Sequence, residues 1–275
     1  MERTIDITGK KNLNSWVAKS IELFESTPYL DNILTIYPLS ISAPIRLSSQ
    51  IRRAIIIAHQ SRNTKELLKI LSTMNKFPYD DPIWFMLKNI DGCLENNPQQ
   101  IERIAKSLYS MTAEETVVRL EAAPKLNTQI GPMFNSWLRQ SFALKSIEEF
   151  QKSEKGICVL DASEETGKSF LMEELNQSLS KRPDLVAKCN ATYIIGEAKW
   201  IGQPGGNQEK QVQEILNFCK NQRGEVRRIG IIDGFPWAVK TIKGKIINNK
   251  EAVLVQESEY DIMSALLLKE YFEQY

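Results

Sequence analysis

Two apolar-rich runs, residues 185–189 and 192–200, flank the dipeptide Asn190-Ala191. Short apolar runs on either side of a two-residue break read as antiparallel strands joined by a tight turn. No other stretch restricts the fold as strongly, because the turn assigns each strand a partner and a register. Strand side chains alternate between faces, so Tyr193, Ile195, Glu197 and Lys199 share one face, and Ile194, Gly196, Ala198 and Trp200 share the other. A carboxylate and an amine therefore stand together at the end of an otherwise hydrophobic strand. Asp184 opens the partner strand, and the turn brings it near Glu197.

Two carboxylates and a lysine at one sheet end are the parts needed to hold Mg²⁺ and hydrolyse a phosphodiester. The same residues also make a capped strand start with a surface salt bridge, an arrangement worth little energy. Such a bridge does not require small neighbours. Gly196 and Ala198 would let backbone or DNA approach closely, and the carbonyl of Ala198 can join a metal shell.

Pro183-Asp184, twelve further residues and then Glu197-Ala198-Lys199 resemble the PD-(D/E)xK nuclease motif. Downstream, Gly205-Gly206-Asn207-Gln208 and the block from Ile231 to Trp237 are similar to segments of type II restriction endonucleases. The resemblance covers roughly residues 121–275. It implies a restriction-endonuclease-like core and Mg²⁺-dependent, site-specific cleavage of double-stranded DNA. Asp184, Glu197 and the Ala198 carbonyl would bind the cation, with Glu173, on the helix before the hairpin, as a supplementary ligand. Lys199 would orient the attacking water or neutralise the transition state. Palindromic cutting implies a homodimer with one site per strand, and a cognate DNA methyltransferase in the same prokaryotic cell. A repair or junction-resolving nuclease of the same fold is the nearest alternative. A DNA-binding protein that has kept the fold without cleavage is another.

Charge is nearly balanced, 35 basic against 34 acidic residues, so no basic tail announces nucleic acid. A DNA-binding charge excess must be concentrated in one cleft. The four cysteines form no C-x-x-C pair, and three lie in apolar settings, as expected of buried thiols in a reducing cytoplasm. No signal peptide opens the chain, and apolar runs such as residues 54–58 are too short to span a bilayer, so no membrane partner is expected. The single histidine, His59, sits in a strongly apolar segment and reads as structural. Its solitude disfavours Ser-His-Asp and histidine-zinc chemistry and leaves carboxylates, lysines and hydroxyls.

The order of elements predicts an α/β (α+β) architecture in two domains. Residues 1–123 read as all-helical, a source of DNA grip or dimer contacts. Leu13, Trp16, Val17, Ile21, Leu23 and Phe24 lie close to a helical period, Asn63 and Asn97-Pro98 open helices, and Thr112 to Glu115 fits a capping box. Residues 83–87 predict a buried helix. Ala123-Pro124-Lys125 marks the boundary to a catalytic domain, residues 124–275. Its predicted course is a helix from Gly131-Pro132 continuing toward Phe150, a strand over 156–160, a helix from Ser163 and the hairpin. A helix over 208–220, strands over 228–232 and 252–256, and a helix over 259–272 complete it. Such an order gives a mixed sheet flanked by helices.

Two further stretches carry chemistry. Residues 162–169, Ala-Ser-Glu-Glu-Thr-Gly-Lys-Ser, match a relaxed phosphate-loop pattern, which would make the chain a nucleotide-binding regulatory protein. Two glutamates stand where backbone amides must cradle phosphates, so a helix start capped by Ser163 fits better. Beyond the catalytic strand, Asn207, Gln208, Lys210 and Gln211 carry groups suited to adenine, guanine or phosphate and are the candidate DNA-reading residues. An ordinary polar loop and helix cap is the competing reading there. Asp233 to Trp237 reads as a structural turn with an aromatic anchor.

Overall fold

A computed structural model describes residues 13–38, 46–89, 93–122, 129–222, 224–241 and 243–275. The chain divides into two compact units, one made of Met1–Leu39 with Lys125–Tyr275 and the other of Ser40–Pro124. The expected boundary at Ala123-Pro124-Lys125 lies outside the described residues.

The first unit is built on a six-stranded mixed sheet in sequence order: β1 (Ala143–Lys145), β2 (Ile157–Leu160), β3 (Leu185–Cys189), β4 (Thr192–Ile201), β5 (Arg227–Gly234) and β6 (Ile262–Met263). β1 runs parallel to β2, β2–β3 and β3–β4 are antiparallel, and β4–β5 and β5–β6 are parallel. The turn between β3 and β4 holds Asn190 at φ 51°, a left-handed conformation that asparagine tolerates better than most residues. Its side chain also accepts from Gly156 N at 2.8 Å and donates to the Tyr275 carbonyl at 2.8 Å.

Both faces of the sheet are covered, as the alternation within β4 requires. Ile194 belongs to a large core with Ile231, Trp237, Tyr271 and Phe272, whereas Ile195 belongs to a second core with Phe150, Phe170, Leu171 and Val186. The expected α/β class and mixed sheet with flanking helices are therefore present.

Residues 13–38, read from the sequence as the start of the helical half, pack instead in the sheet unit. The helix Ser15–Ser26 places Trp16, Val17 and Ile21 in the large core. Asn14 caps that helix through its Oδ1 and donates through Nδ2 to Asp261 Oδ1 at 3.0 Å, tying it beside β6. The amphipathic period announced the helix but carried no information about which core would take its apolar face.

Every regular element among the second unit's described residues is a helix. Its core gathers Ile55, Leu67, Leu71, Phe77, Trp84, Ile104, Leu108 and Val117. Asn63 and Thr112 cap their helices as the sequence predicted, the latter in a full capping box with Glu115. The helix Trp84–Asn89 buries Trp84 and Leu87, but Phe85 and Met86 face solvent, so it is amphipathic rather than buried. His59 is buried beneath Tyr109 and bonded at 3.0 Å to the Leu108 carbonyl, a structural histidine.

Three expectations for the sheet unit are corrected. Residues 252–256 are not a strand but most of the helix Lys250–Gln256. Burial of Glu251, Ala252, Val255 and Gln256 follows the helical period, which a five-residue apolar run cannot reveal. The expected final helix over 259–272 is broken into β6, a 3-10 turn over Ala265–Leu267 and the helix Leu268–Glu273. The helix from Gly131-Pro132 stops at Ser141, β1 intervenes, and a capping box at Ser146 and Glu149 starts a new helix, Ile147–Lys152.

Candidate active site

The β3–β4 register pairs Leu185 with Gly196, so Asp184 falls beside Glu197 as the alternation implied. β3 ends too early to pair with Ala198, and Asp184 Oδ2 takes over by accepting from Ala198 N at 2.9 Å. Asp184 thus caps the strand and fixes its carboxylate against β4. Glu197 is buried, only 8% exposed, and its Oε2 accepts from Lys181 Nζ at 2.7 Å. Burial and then the negative charge of Asp184 push the Glu197 carboxyl up from the ordinary glutamate range, against the opposing pull of Lys181 and Lys199. Burial disfavours the Lys181 ammonium, but its bond to Glu197 and the charges of Asp184 and Glu197 outweigh this and raise its pKa. Two carboxylates that repel each other at a sheet end form a donor set suited to a cation. Mg²⁺ binds through one or two carboxylates while keeping several waters, so this pair and the Ala198 carbonyl fit it. Among the described residues no cluster of three or more acidic, cysteine or histidine side chains offers a larger site.

Two adjoining clefts meet at this strand end. One, of about 640 Å³, is lined by Lys181, Glu197, Lys199, Glu214, Asn217 and Arg228, among others. The other, of about 420 Å³, includes Asp184, Ala198, Lys199, Asn207, Lys210, Gln211 and Glu214. Lys199 and Glu214 belong to both, with Lys199 Nζ 4.0 Å from Glu214 Oε2.

Gly196 does not face a cleft. A Cβ there would lie 3.0 Å from Ile229 Cγ1 and 3.1 Å from Ile231 Cδ1, so its small size serves core packing rather than approach of DNA. Ala198, by contrast, lines the second cleft.

The phosphate-loop lookalike is a helix start. Ser163 caps the helix Glu164–Glu173 by accepting from Thr166 N, with Glu164 and Glu165 in the first turn. Its remaining groups hold the segment leading into Asp184. Glu164 Oε1 accepts from Arg182 N at 2.7 Å, and Lys168 Nζ donates to the Ser180 carbonyl at 3.0 Å. The Arg182 guanidinium donates to the carbonyls of Ala162 and Leu160 at 2.7 and 2.8 Å. Gly167 makes room for it: a Cβ there would lie 2.7 Å from Arg182 Cδ.

Among the candidate DNA-reading residues, Asn207, Lys210 and Gln211 line the second cleft. Asn207 stands at the helix N-cap position, yet its side chain makes no capping bond. Gln208 is not among the lining residues, and its Oε1 is buried without a hydrogen-bond partner among the described residues. Glu173 is exposed at the end of its helix and lines neither cleft. Sequence reasoning missed Lys181 and Glu214. The helical period offered a signal for Glu214, since positions 207, 210, 211 and 214 fall on one helix face. Lys181 lies in a loop, where no period applies.

The family model described as Tsp45I type II restriction enzyme matches residues 14–275. It runs through the helical unit as well as the sheet, beyond the roughly 121–275 over which the motif resemblance extended. Neither the curated proteins nor the solved structures contain a match to the chain. With nearly its whole length matched and an α/β mixed-sheet fold, the chain belongs to the Tsp45I type II restriction enzyme family and is a site-specific deoxyribonuclease.

Proposed function

We propose that the enzyme cuts double-stranded DNA with Mg²⁺ held by Asp184, Glu197 and the Ala198 carbonyl. The observation that carries this reading is the placement of Asp184 beside a buried Glu197 at the strand end, with Lys199 in both adjoining clefts. When bound, the cation supplies an acidified water and charge stabilisation at the scissile phosphate.

The protein's own groups then have distinct tasks. Asp184 is fixed by Ala198 N, so one of its oxygens is committed and the other remains a ligand. Glu197 brings the second carboxylate from a buried position that keeps its orientation. Lys199 offers an ammonium to the attacking water or to the phosphorane oxygens, and Glu214 beside it restrains its direction. Asn207, Lys210 and Gln211 reach the DNA flanking the cut. Glu173, which lines neither cleft, has no part in this proposal.

The nucleotide-binding alternative finds no support, because Glu164 and Lys168 of residues 162–169 are engaged in holding the Ser180–Arg182 segment. The helical unit contributes DNA grip or dimer contacts. A homodimer places one site on each strand, and a partner methyltransferase protects the host sequence. The experiment is incubation of plasmid DNA with the protein and Mg²⁺, followed by sequencing of the fragment ends. Discrete Mg²⁺-dependent ends at one sequence are expected. Cleavage without divalent cation would overturn the metal reading, and cutting confined to branched or nicked DNA would favour a junction-resolving or repair role.

A further inference from the structure

Lys181 precedes the family motif, and nothing in that motif accounts for it. Its Nζ lies 2.7 Å from Glu197 Oε2, on an oxygen that a bound cation would need. The contact is not a chance meeting of two mobile chains. Glu197 is buried, and the backbone around Lys181 is held on both sides, by Lys168 at the Ser180 carbonyl and by Glu164 at Arg182 N. The Arg182 side chain adds two further anchors, one on the last residue of β2 and one just beyond it. Lys181 itself is 53% exposed and lines the same cleft as Lys199. The lysine is therefore anchored at its backbone, paired with Glu197 at its tip and open on its other side to the cleft where a DNA backbone would lie.

We propose that Lys181 is an exchangeable counter-ion of the active site: it occupies Glu197 in the cation-free enzyme and passes to a DNA phosphate when the cation takes that carboxylate. This rests on Asp184 and Glu197 being the cation site. The exchange keeps a buried carboxylate paired at every stage, since an uncompensated buried charge is strongly disfavoured. It also adds one phosphate contact only when the site is loaded.

The test separates binding from catalysis. Mg²⁺ binding to the DNA-free protein is measured by calorimetry for the parent, Lys181→Met, Lys181→Arg and Glu197→Gln, each checked for parental circular dichroism. Removing the competing ammonium should tighten Mg²⁺ binding about threefold to fivefold, the scale of a partly exposed ion pair. Arginine should restore the parental value. At saturating Mg²⁺, Lys181→Met should cleave DNA at least about tenfold more slowly, the phosphate contact having been lost. Unchanged or weaker Mg²⁺ binding by Lys181→Met would overturn the exchange, and undiminished cleavage would overturn the transfer to phosphate. A Glu197→Gln protein that binds Mg²⁺ like the parent would instead overturn the underlying cation site, an outcome distinct from failure at Lys181 alone.

Discussion

The phenol of Tyr29 donates to Asp233 Oδ1 at 2.9 Å, joining residues 204 positions apart. Tyr37 donates to Oδ2 at 3.0 Å and Ser264 to Oδ1 at 2.6 Å, and Ala265 N adds a backbone donor. Asp233 is fully buried at the end of β5, so the segment carrying both tyrosines is pinned to the sheet through one carboxylate. Gly234, the next residue, donates to the Tyr29 oxygen at 3.1 Å. It holds φ at 108°, and a Cβ there would strike the Ile201 carbonyl oxygen at 2.3 Å, so only glycine suits the position.

Burial pushes the Asp233 carboxyl above the ordinary aspartate range, outweighing the hydroxyl and amide donors that pull it down. A folded pKa above the unfolded one means that the folded state binds the proton more tightly. Its stabilising contribution is complete below the ordinary range, about pH 3.9, and is lost as pH rises through the folded value. The stability advantage of the parent over Asp233→Asn should therefore shrink as pH rises from about 4 toward neutrality. Thermal unfolding of both proteins across that range checks it. An advantage that grows with pH would mean that the donors win and the buried group is held as a carboxylate.

Tyr29→Phe removes one donor to Asp233 and the acceptor of Gly234 N. Both partners are buried, so the expected cost is about 1–3 kcal/mol. Denaturant unfolding monitored by tryptophan fluorescence measures it directly. A change below about 0.5 kcal/mol would mean that another group or water replaces the phenol.

Lys199→Ala and Glu197→Ala should each lower single-turnover DNA cleavage by about 10²-fold or more, the scale of one lost transition-state electrostatic contact. Asp184→Asn should lose cleavage while remaining folded. The amide retains an oxygen for Ala198 N, so the strand cap survives although the charge is gone. Near-parental cutting by any of the three would sink that residue's assignment. An unfolded Asp184→Asn would show that the charge, not the shape, secures the strand end.

Gly167→Ala sets two effects of opposite sign against each other. Alanine is favoured over glycine inside a helix by about 1 kcal/mol. Its Cβ would meet Arg182 Cδ at 2.7 Å, and that side chain is pinned by two carbonyls and cannot swing away cheaply. Overpacking of this kind costs about 1–3 kcal/mol, so a net loss of stability is expected, together with slower cleavage as the Lys181–Asp184 segment shifts. A raised melting temperature with full activity would show that the segment tolerates displacement.

The hairpin was legible because its evidence is local: alternation within residues 192–200 and a turn dipeptide together set which side chains share a face. Lys199 and Glu197 followed from that alone. Asn207, Lys210 and Gln211 followed from position after the strand, and continuing the helical period would have added Glu214. Lys181 was not legible, because a loop residue acquires its partner only through the tertiary clamp formed by Glu164, Gly167 and Lys168. Gly196 was misread for a related reason: smallness is visible in sequence, but not which face it serves. The same gap separates the readable helix Ser15–Ser26 from its unreadable place on the sheet, set by Asp261 and Ser264 far along the chain.

The four candidate DNA-reading residues after β4 should divide in their effects on specificity. Asn207, Lys210 and Gln211 line the cleft that contains Asp184 and Lys199, whereas Gln208 does not. A bidentate base contact is worth about 1–3 kcal/mol of discrimination, so alanine at a base-reading position should weaken cognate binding by that order. Non-specific, salt-dependent binding should stay nearly unchanged in that case. If Lys210 contacts phosphate instead, Lys210→Ala should weaken all sequences together and flatten the salt slope by about one unit. Gln208→Ala should leave the cognate-to-scrambled ratio at the parental value, because its Oε1 is buried and the residue does not line the cleft. Competition binding with cognate and scrambled duplexes at two salt concentrations distinguishes these outcomes. A Gln208→Ala protein that loses discrimination while Asn207→Ala and Gln211→Ala keep it would mean that the helix turns its other face to the bases, and the cleft beside Asp184 would then receive only the DNA backbone.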